Sequence, residues 1–277
     1  MTGGIRKGAQ ININLARAAE KHQIPLGLGS CRAVIDHPEL ESLFTIRHYA
    51  PTTLILANVG LVQLNYGFDL PQLEKILTLT QADALVFHLN PLQELLQPEG
   101  DHNFTRLLPK LQKVIPRLPV PVIVKEVGFG LSARIIEQLY TAGVRIFDTA
   151  GWGGTNWAFI ESRRRFGSRV LGQLFSRWGI STTDSILAAR QIKFQKKAKD
   201  IVVLGSGGVR SGLDIAKCLA LGADLAGLAL PFLQAALVSK QAVEDLILSL
   251  AHQLKIVMFC AGAKNLTQLR TRPLHCH

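Results

Sequence analysis

Acidic side chains are scarce in this sequence, and so are aromatic ones. Of 277 residues only 20 are Asp or Glu against 31 Lys and Arg, aromatics make up 6%, and charges of both signs together 18%. No apolar stretch approaches the ~18 uninterrupted residues that a membrane span needs. No basic, apolar and cleavable leader precedes the first glycine turn. These absences predict a soluble, cytoplasmic protein with no membrane partner.

Cysteine is also sparse. The four cysteines, Cys31, Cys218, Cys260 and Cys276, are scattered without CxxC spacing. In a chain this long they predict reduced thiols rather than a disulfide scaffold. The closing His275 to His277, "HCH", puts three consecutive residues at a terminus, where they cannot readily face one ion. It reads as a frayed tail.

The shortage of acid leaves a formal net charge of +11, which raises nucleic acid as a partner. The densest basic runs are "SRRRFGSR" (Ser162 to Arg169) and "KFQKKAKD" (Lys193 to Asp200). They carry little interleaved aromatic residue and match no helix-turn-helix, zinc-finger or RNA-binding pattern. Solvated faces are the expected reading, with no nucleic-acid partner. A positive field also suits phosphorylated small molecules.

What is abundant is alternation. Short β-branched runs at Ile24–Leu28, Thr53–Asn58, Ala84–His88, Val122–Glu126, Arg145–Thr149, Ile201–Gly205 and Leu225–Ala229 predict strands. Between them lie helical patterns. "IRKGAQININLARAAEKH" spaces Ile5, Ala9, Ile13, Ala16 and Ala19 on one face, while "SARIIEQLYTAG" starts on a Ser cap and stops at Gly143. "TTDSILAARQI" and "SGLDIAKCLALG" repeat the design. Arg163 to Ser181, rich in Arg and Gly, reads as a mobile excursion at the active site. No Gly/Ser linker divides the chain, so residues 1–277 are expected to form one domain.

Strand–helix alternation implies a parallel sheet, either doubly wound or a (βα)8 TIM barrel. The barrel is favoured because polar and glycine-rich residues follow the strands, where barrel sites are built. "GSGGVRSG" and "LALPF" follow the last two strands, the place of a barrel's phosphate site. The runs above then count as strands two to eight. "MTGG" reads as the exit of strand one, most of which is missing.

Four constellations carry chemistry. In "GSGGVRSG" the glycines let backbone amides approach an anion, Arg210 adds a charge-assisted bond, and a helix begins near Ser211. "FHLNPLQE" offers His88, Asn90, Gln93 and Glu94 at a strand's end, although Gln93 and Glu94 also suit a mere helix start. In "VIVKEVGFG" Lys125 ends an apolar strand, where a buried ammonium demands an anion or a polar ligand. "DTAGWGGTNWAFIE" brings Asp148, Thr149, Thr155, Asn156 and Glu161, with Asp148 equally suited to a structural role. Trp152 and Trp157 either stack on a ring or cover core edges. Ser30, Arg32 and Asn58 sit at further strand ends facing the same mouth.

These motifs, "MTGG", "GLGS", "HLNPLQE", "PEGD", "PVIVKEVGFG", "GGTN…IE" and "GSGGVRSGLDIAKCLALGA", follow one another as in the type 2 isopentenyl-diphosphate isomerases. The resemblance spans essentially the whole chain. It implies an FMN-linked (βα)8 barrel that interconverts isopentenyl and dimethylallyl diphosphate. Reduced FMN and Mg2+ would be the cofactors, with NAD(P)H serving only to reduce the flavin and homo-oligomers, tetramers or octamers, as the assembly.

The resemblance further implies that Met1, Thr2, Ser30, Asn58, Lys125 and Thr155 contact the flavin, and that Gly208, Val209, Arg210, Ala229 and Leu230 hold its phosphate. Lys125 would stabilise the anionic N1/O2 side of the reduced ring. Ser30, Cys31, Arg32, His88, Asn90 and Gln93 would line the substrate pocket, and Glu94 would ligate Mg2+. Gln93, Lys125 and Glu161 are the expected catalytic residues. The family's segment before "MTGG", with an Arg-Lys and a His that engage the diphosphate, is not in this chain; Arg6 and Lys7 belong to the first helix pattern. The competing readings are an inactive flavin-binding remnant and an FMN-dependent 2-hydroxy-acid oxidase-like enzyme. The oxidase would need a His where this chain has "DTAGWGG".

Overall fold

In the computed structural model, which describes residues 8–164 and 169–274, seven strands lie where the β-branched runs place them. They are β1 (Leu26–Ser30), β2 (Ile55–Gly60), β3 (Ala84–Leu89), β4 (Val122–Glu126), β5 (Ile146–Asp148), β6 (Val202–Ser206) and β7 (Leu225–Gly227). Sheet order follows chain order, and the pairings of β1 with β2, β2 with β3, β5 with β6 and β6 with β7 are all parallel. The expected exit of a preceding strand, at Met1 and Thr2, lies outside the described residues, as do Arg6 and Lys7 and the terminal "HCH".

Four strands start later than the sequence predicts, β5 and β6 by one residue and β1 and β2 by two, the last two for identifiable reasons. Before β1, Gln23 has φ +53 and Pro25 has no amide to donate, so the ladder opens only with Leu26 N to Leu54 O at 2.8 Å. Before β2, the Glu20 carboxylate takes the amides of Thr52 (3.0 Å) and Thr53 (2.9 Å), and Asp83 takes that of Ile55 (2.8 Å). Side-chain acceptors thus occupy donors that the ladder would otherwise have used.

The chain divides into two compact units. One comprises Met1–His88, Thr105–Ile123 and Ala229–Ser249; the other Leu89–Phe104, Val124–Leu228 and Leu250–His277. In the first, the helices Gly8–His22, Leu230–Val238 and Lys240–Cys260 bury Ile11, Ala18, Ala236, Val243 and Ile247 against one another. The helix face differs from the expected one. Ala16 and Ala19 are buried, Ala9 and Ile13 only half so, and Ile5 lies outside the described residues. Asn12 and Asn14 are buried instead, because each amide finds a carbonyl, Leu43 O at 2.8 Å and Ala236 O at 2.9 Å.

In the second unit the helix Gly212–Leu221 packs Ala216 and Leu219 on Ala263 and Leu269. Leu96, Phe129 and Ala158 form a second cluster. The stretch read as a mobile excursion is helical over most of its described length: Trp157–Arg164, Arg169–Leu174 and a 3-10 turn at Phe175–Arg177. The overlooked signal is Asn156, whose Oδ1 accepts Phe159 N at 2.8 Å and starts the first of these helices. Residues 165–168 of the basic run lie outside the described residues.

Candidate functional site

The helix Pro91–Leu96 is only six residues long, yet Gln93 and Glu94 on it both enter side-chain hydrogen bonds. Pro91 suits its first turn, and Asn90 precedes it. From Asn90 the Nδ2 donates to Glu94 Oε1 at 2.6 Å, and Asp101 N closes on Glu94 Oε2 at 2.8 Å. His102 Nε2 reaches the Glu94 carbonyl at 3.0 Å. The loop wraps so closely that a Cβ on Gly100 would stand 1.9 Å from that carbonyl.

Gln93 points elsewhere. Its Nε2 donates to Glu161 Oε1 at 3.1 Å, and the other oxygen of Glu161 meets Arg164 Nη1 at 2.7 Å. Arg164 Nη2 holds Glu99 Oε1, also at 2.7 Å, and that bond keeps the Glu99 carboxyl below its ordinary range. Asn90, Gln93, Glu94 and Glu161 therefore lie in one bonded set, whereas His88, which the sequence groups with Asn90, Gln93 and Glu94, bonds to Asn58. Glu99, Asp101 and Arg164 were missed, although Glu99 and Asp101 stand inside the "PEGD" that was noted.

The donor chemistry suits Mg2+. Glu94 and Glu161 are buried carboxylates, and Asn90 Oδ1 is buried with no hydrogen-bond partner among the described residues. A buried carbonyl oxygen left bare is the kind of group that a hard cation satisfies. Among the described residues no group of three or more His, Cys, Asp and Glu could hold a metal. One or two carboxylates completed by substrate phosphates is a usual Mg2+ arrangement.

Lys125, at the end of β4, is half-buried and donates from Nζ to the Glu126 carbonyl at 2.6 Å. Its ligand is thus a peptide oxygen rather than an anion. Thr155 is exposed and its hydroxyl has no partner among the described residues, whereas Asn156 is spent on Phe159 N and on Ser176 O at 2.8 Å. Asp148 takes the structural role: its Oδ1 accepts Ser206 Oγ at 2.5 Å and Ala150 N at 3.3 Å. Trp152 donates to Ser176 O at 3.2 Å while remaining largely exposed.

After β6 the loop turns through Gly207 (φ +107) and Gly208 (φ +82). Both need to be glycine twice over, since a Cβ at Gly207 would meet Gly151 O at 2.2 Å and one at Gly208 would meet Gly153 O at 2.3 Å. Asp214 takes the amides of Arg210 (3.1 Å) and Ser211 (3.0 Å), and Gln253 takes that of Gly212 (2.8 Å). The amides of Gly208 and Val209 donate to nothing among the described residues. Alongside them Arg210 is fastened through Nη1 to Gly208 O at 3.0 Å and stays exposed. Adjacent bare amides in a positive-φ turn, next to a guanidinium, suit a phosphate group such as that of FMN.

In the first unit, β2 and β3 bring Asn58 Oδ1 to His88 Nδ1 at 2.8 Å. Asn58 O also accepts Cys31 N at 2.7 Å. The Cys31 thiol is completely buried; burial pushes it up to about 12, so it stays a neutral, apolar group. Ser30 is half-buried at the end of β1, and Arg32 pairs with Asp36 at 3.2 Å. Ala229 precedes the helix Leu230–Val238, with Leu230 half-exposed at its start. Cys31, Cys218 and Cys260 are all free thiols.

Known proteins give this geometry a context. The model of the FMN-dependent dehydrogenase family matches residues 88–275. A relative from Nostoc sp. named isopentenyl-diphosphate delta-isomerase is 46% identical over 98% of this chain and 76% of its own length. Relatives of the same name from Rickettsia bellii (46% identity, covering 99% and 79%) and Rickettsia africae (44%, covering 97% and 78%) are comparable. Among solved structures, a mandelate oxidase variant with a monooxide FMN adduct superposes with a TM-score of 0.60 at 18% identity, over 94% of this chain and 72% of that one. A Pediococcus acidilactici lactate oxidase gives 0.63 at 16%, over 95% and 70%. At such identities these structures establish the fold alone, that of a (βα)8 barrel, of which seven strands lie among the described residues.

Proposed function

This chain belongs to the FMN-dependent, type 2 isopentenyl-diphosphate delta-isomerase family, and from that premise we propose that it interconverts isopentenyl and dimethylallyl diphosphate with reduced FMN and Mg2+. The observation that carries the reading is the bonded set Asn90, Gln93, Glu94 and Glu161, which keeps the carboxylate proposed for Mg2+, Glu94, and the carboxylate proposed for proton transfer, Glu161, within one compact unit. An oxidase reading lacks its histidine: β5 runs into Asp148, Thr149 and Ala150, and no His follows before the helix Trp157–Arg164.

FMN, when bound and reduced, supplies an electron-rich ring able to deliver or accept a proton at the substrate's double bond. The residues that would hold it are Ser30, Asn58, Lys125 and Thr155 for the ring, and Gly208, Val209, Arg210, Ala229 and Leu230 for the phosphate. Met1 and Thr2 complete that set outside the described residues. Lys125 would contribute positive charge toward the anionic edge of the ring. Glu94, with the bare Oδ1 of Asn90, would hold the Mg2+, whose charge would offset that of the diphosphate.

Gln93 and Glu161 stand at the allylic part of the substrate. Glu161 Oε1, already an acceptor for Gln93, is the protein oxygen able to hold a proton there. His88, fixed by Asn58, lines the pocket with Ser30, Cys31 and Arg32. NAD(P)H reduces the flavin, and the protein acts in the cytoplasm as a homo-oligomer, a tetramer or octamer. Among the described residues no helix is long and apolar enough to cross a membrane. The test is anaerobic incubation with isopentenyl diphosphate, FMN, a reductant and MgCl2. Dimethylallyl diphosphate should form, and should not form when the flavin stays oxidised or EDTA is present. Absence of conversion by the fully supplied, FMN-loaded protein would refute the reading.

A further inference from the structure

Glu126 closes β4 immediately after Lys125 and is buried to 5% exposure. A single oxygen, Oε2, accepts three consecutive backbone amides: Val127 at 2.6 Å, Gly128 at 2.8 Å and Phe129 at 2.5 Å. Glu20 and Asp214 each gather two consecutive amides on one oxygen, and Glu126 gathers three. The main chain must coil round that oxygen, which fixes the segment 127–129 and the orientation of the peptide that leaves β4. The carbonyl of that peptide, Glu126 O, is the atom on which Lys125 Nζ rests at 2.6 Å.

The coil is also tied to its neighbours. Phe129 O accepts Ile180 N at 2.8 Å, and Gly130 N donates to Ala150 O at 3.3 Å. Gly128, at φ +146, comes so close to residue 155 that a Cβ there would lie 2.7 Å from Thr155 O. The segment that the carboxylate orders thus meets two residues of the proposed flavin set, Lys125 through the Glu126 carbonyl and Thr155 through Gly128, and the Lys125 charge also acts on the carboxyl itself.

We infer that Glu126 is the positioning residue of this site: its carboxylate orders Val127 to Phe129, and through the Glu126 carbonyl and the Gly128 contact sets where Lys125 and Thr155 present themselves to FMN. The part of this inference that concerns FMN rests on the function proposed above; the control of Lys125 by Glu126 does not.

The experiment uses the whole chain without flavin and follows acylation of Lys125 by an amine-reactive reagent, with surface lysines as internal standards, read by peptide mass spectrometry. In Glu126→Ala, Lys125 should acylate roughly tenfold faster than in wild type, and FMN affinity, read by flavin fluorescence, should fall by a similar factor. Glu126→Gln, which keeps one oxygen for the amides, should restore both to within about twofold. A folded Glu126→Ala protein with unchanged Lys125 reactivity overturns the inference. If that variant does not fold, Glu126→Asp decides, because its shorter side chain cannot reach all three amides: faster Lys125 acylation supports the inference and wild-type reactivity overturns it. Wild-type protein that binds no FMN would instead remove the functional reading and leave the Lys125 result standing.

Discussion

Gln93 donates its amide to Glu161 across 3.1 Å, and the two residues are 68 positions apart in the chain. The bond ties the first turn after β3 to the helix after β5, and Arg164 braces its far side. Glu161 is thereby held as an acceptor with one oxygen shared by Gln93. Replacing Glu161 by Gln removes a proton-holding oxygen while keeping shape. Its expected effect is a fall in kcat of roughly 10²- to 10⁴-fold, with FMN affinity unchanged. Steady-state kinetics on flavin-loaded protein, alongside a fluorescence titration, separates the two quantities.

In the proposed function Glu94 acts through its charge toward Mg2+. In Glu94→Gln one of the two bonds, from Asn90 Nδ2 or from Asp101 N, loses its acceptor because an amide nitrogen cannot accept, and the proposed hard-ion site loses a carboxylate. The Mg2+ concentration for half-maximal activity should rise by roughly 10- to 100-fold, with flavin binding intact. A magnesium titration of activity at saturating substrate reads it; equal half-maximal concentrations in variant and wild type would contradict the assignment of Glu94.

Most of the fold was legible because β-branched runs and glycine stops recur at barrel spacing, and β3, β4 and β7 begin on the predicted residue. Strand starts were lost at Thr53 and Ile24, where acceptors such as Glu20 and a proline intervene from outside the local pattern. Buried Asn12 and Asn14 broke the helix periodicity because their partners, Leu43 O and Ala236 O, are far along the chain. The candidate site residues stand in motifs at strand ends. Arg164 and Glu126 were not, since a basic run and a Glu after Lys both look like ordinary solvated charge until their partners are known.

Burial dominates the Glu126 carboxyl and pushes it up to about 7 from an ordinary 4.5, against the lowering effect of its three amide bonds. A raised carboxyl binds its proton more tightly in the folded state. Its stabilising contribution is therefore full below about pH 4.5 and is lost as pH rises through about 7. Between those limits wild-type stability should decline relative to Glu126→Gln, which cannot titrate. Thermal melts of both proteins from about pH 4.5 to 8 should show the difference in Tm changing across that window and flat above it. Parallel curves throughout would mean that Glu126 titrates in its ordinary range.

Gly208 offers the sharpest test of the phosphate loop. Substitution by Ala places a Cβ 2.3 Å from Gly153 O in a residue whose φ is +82. The facing atoms are backbone, so neither loop can yield cheaply, and a non-glycine residue held in such a conformation costs about 1–3 kcal/mol. The two loops would have to separate, carrying the amides of Gly208 and Val209 out of register with the Arg210 guanidinium. FMN affinity should fall by roughly tenfold or more, while riboflavin, which lacks the phosphate, should bind the variant and wild type alike. Measuring both flavins distinguishes loss of the phosphate cradle from general loosening: a variant weakened equally toward the two would place the damage in the ring site instead.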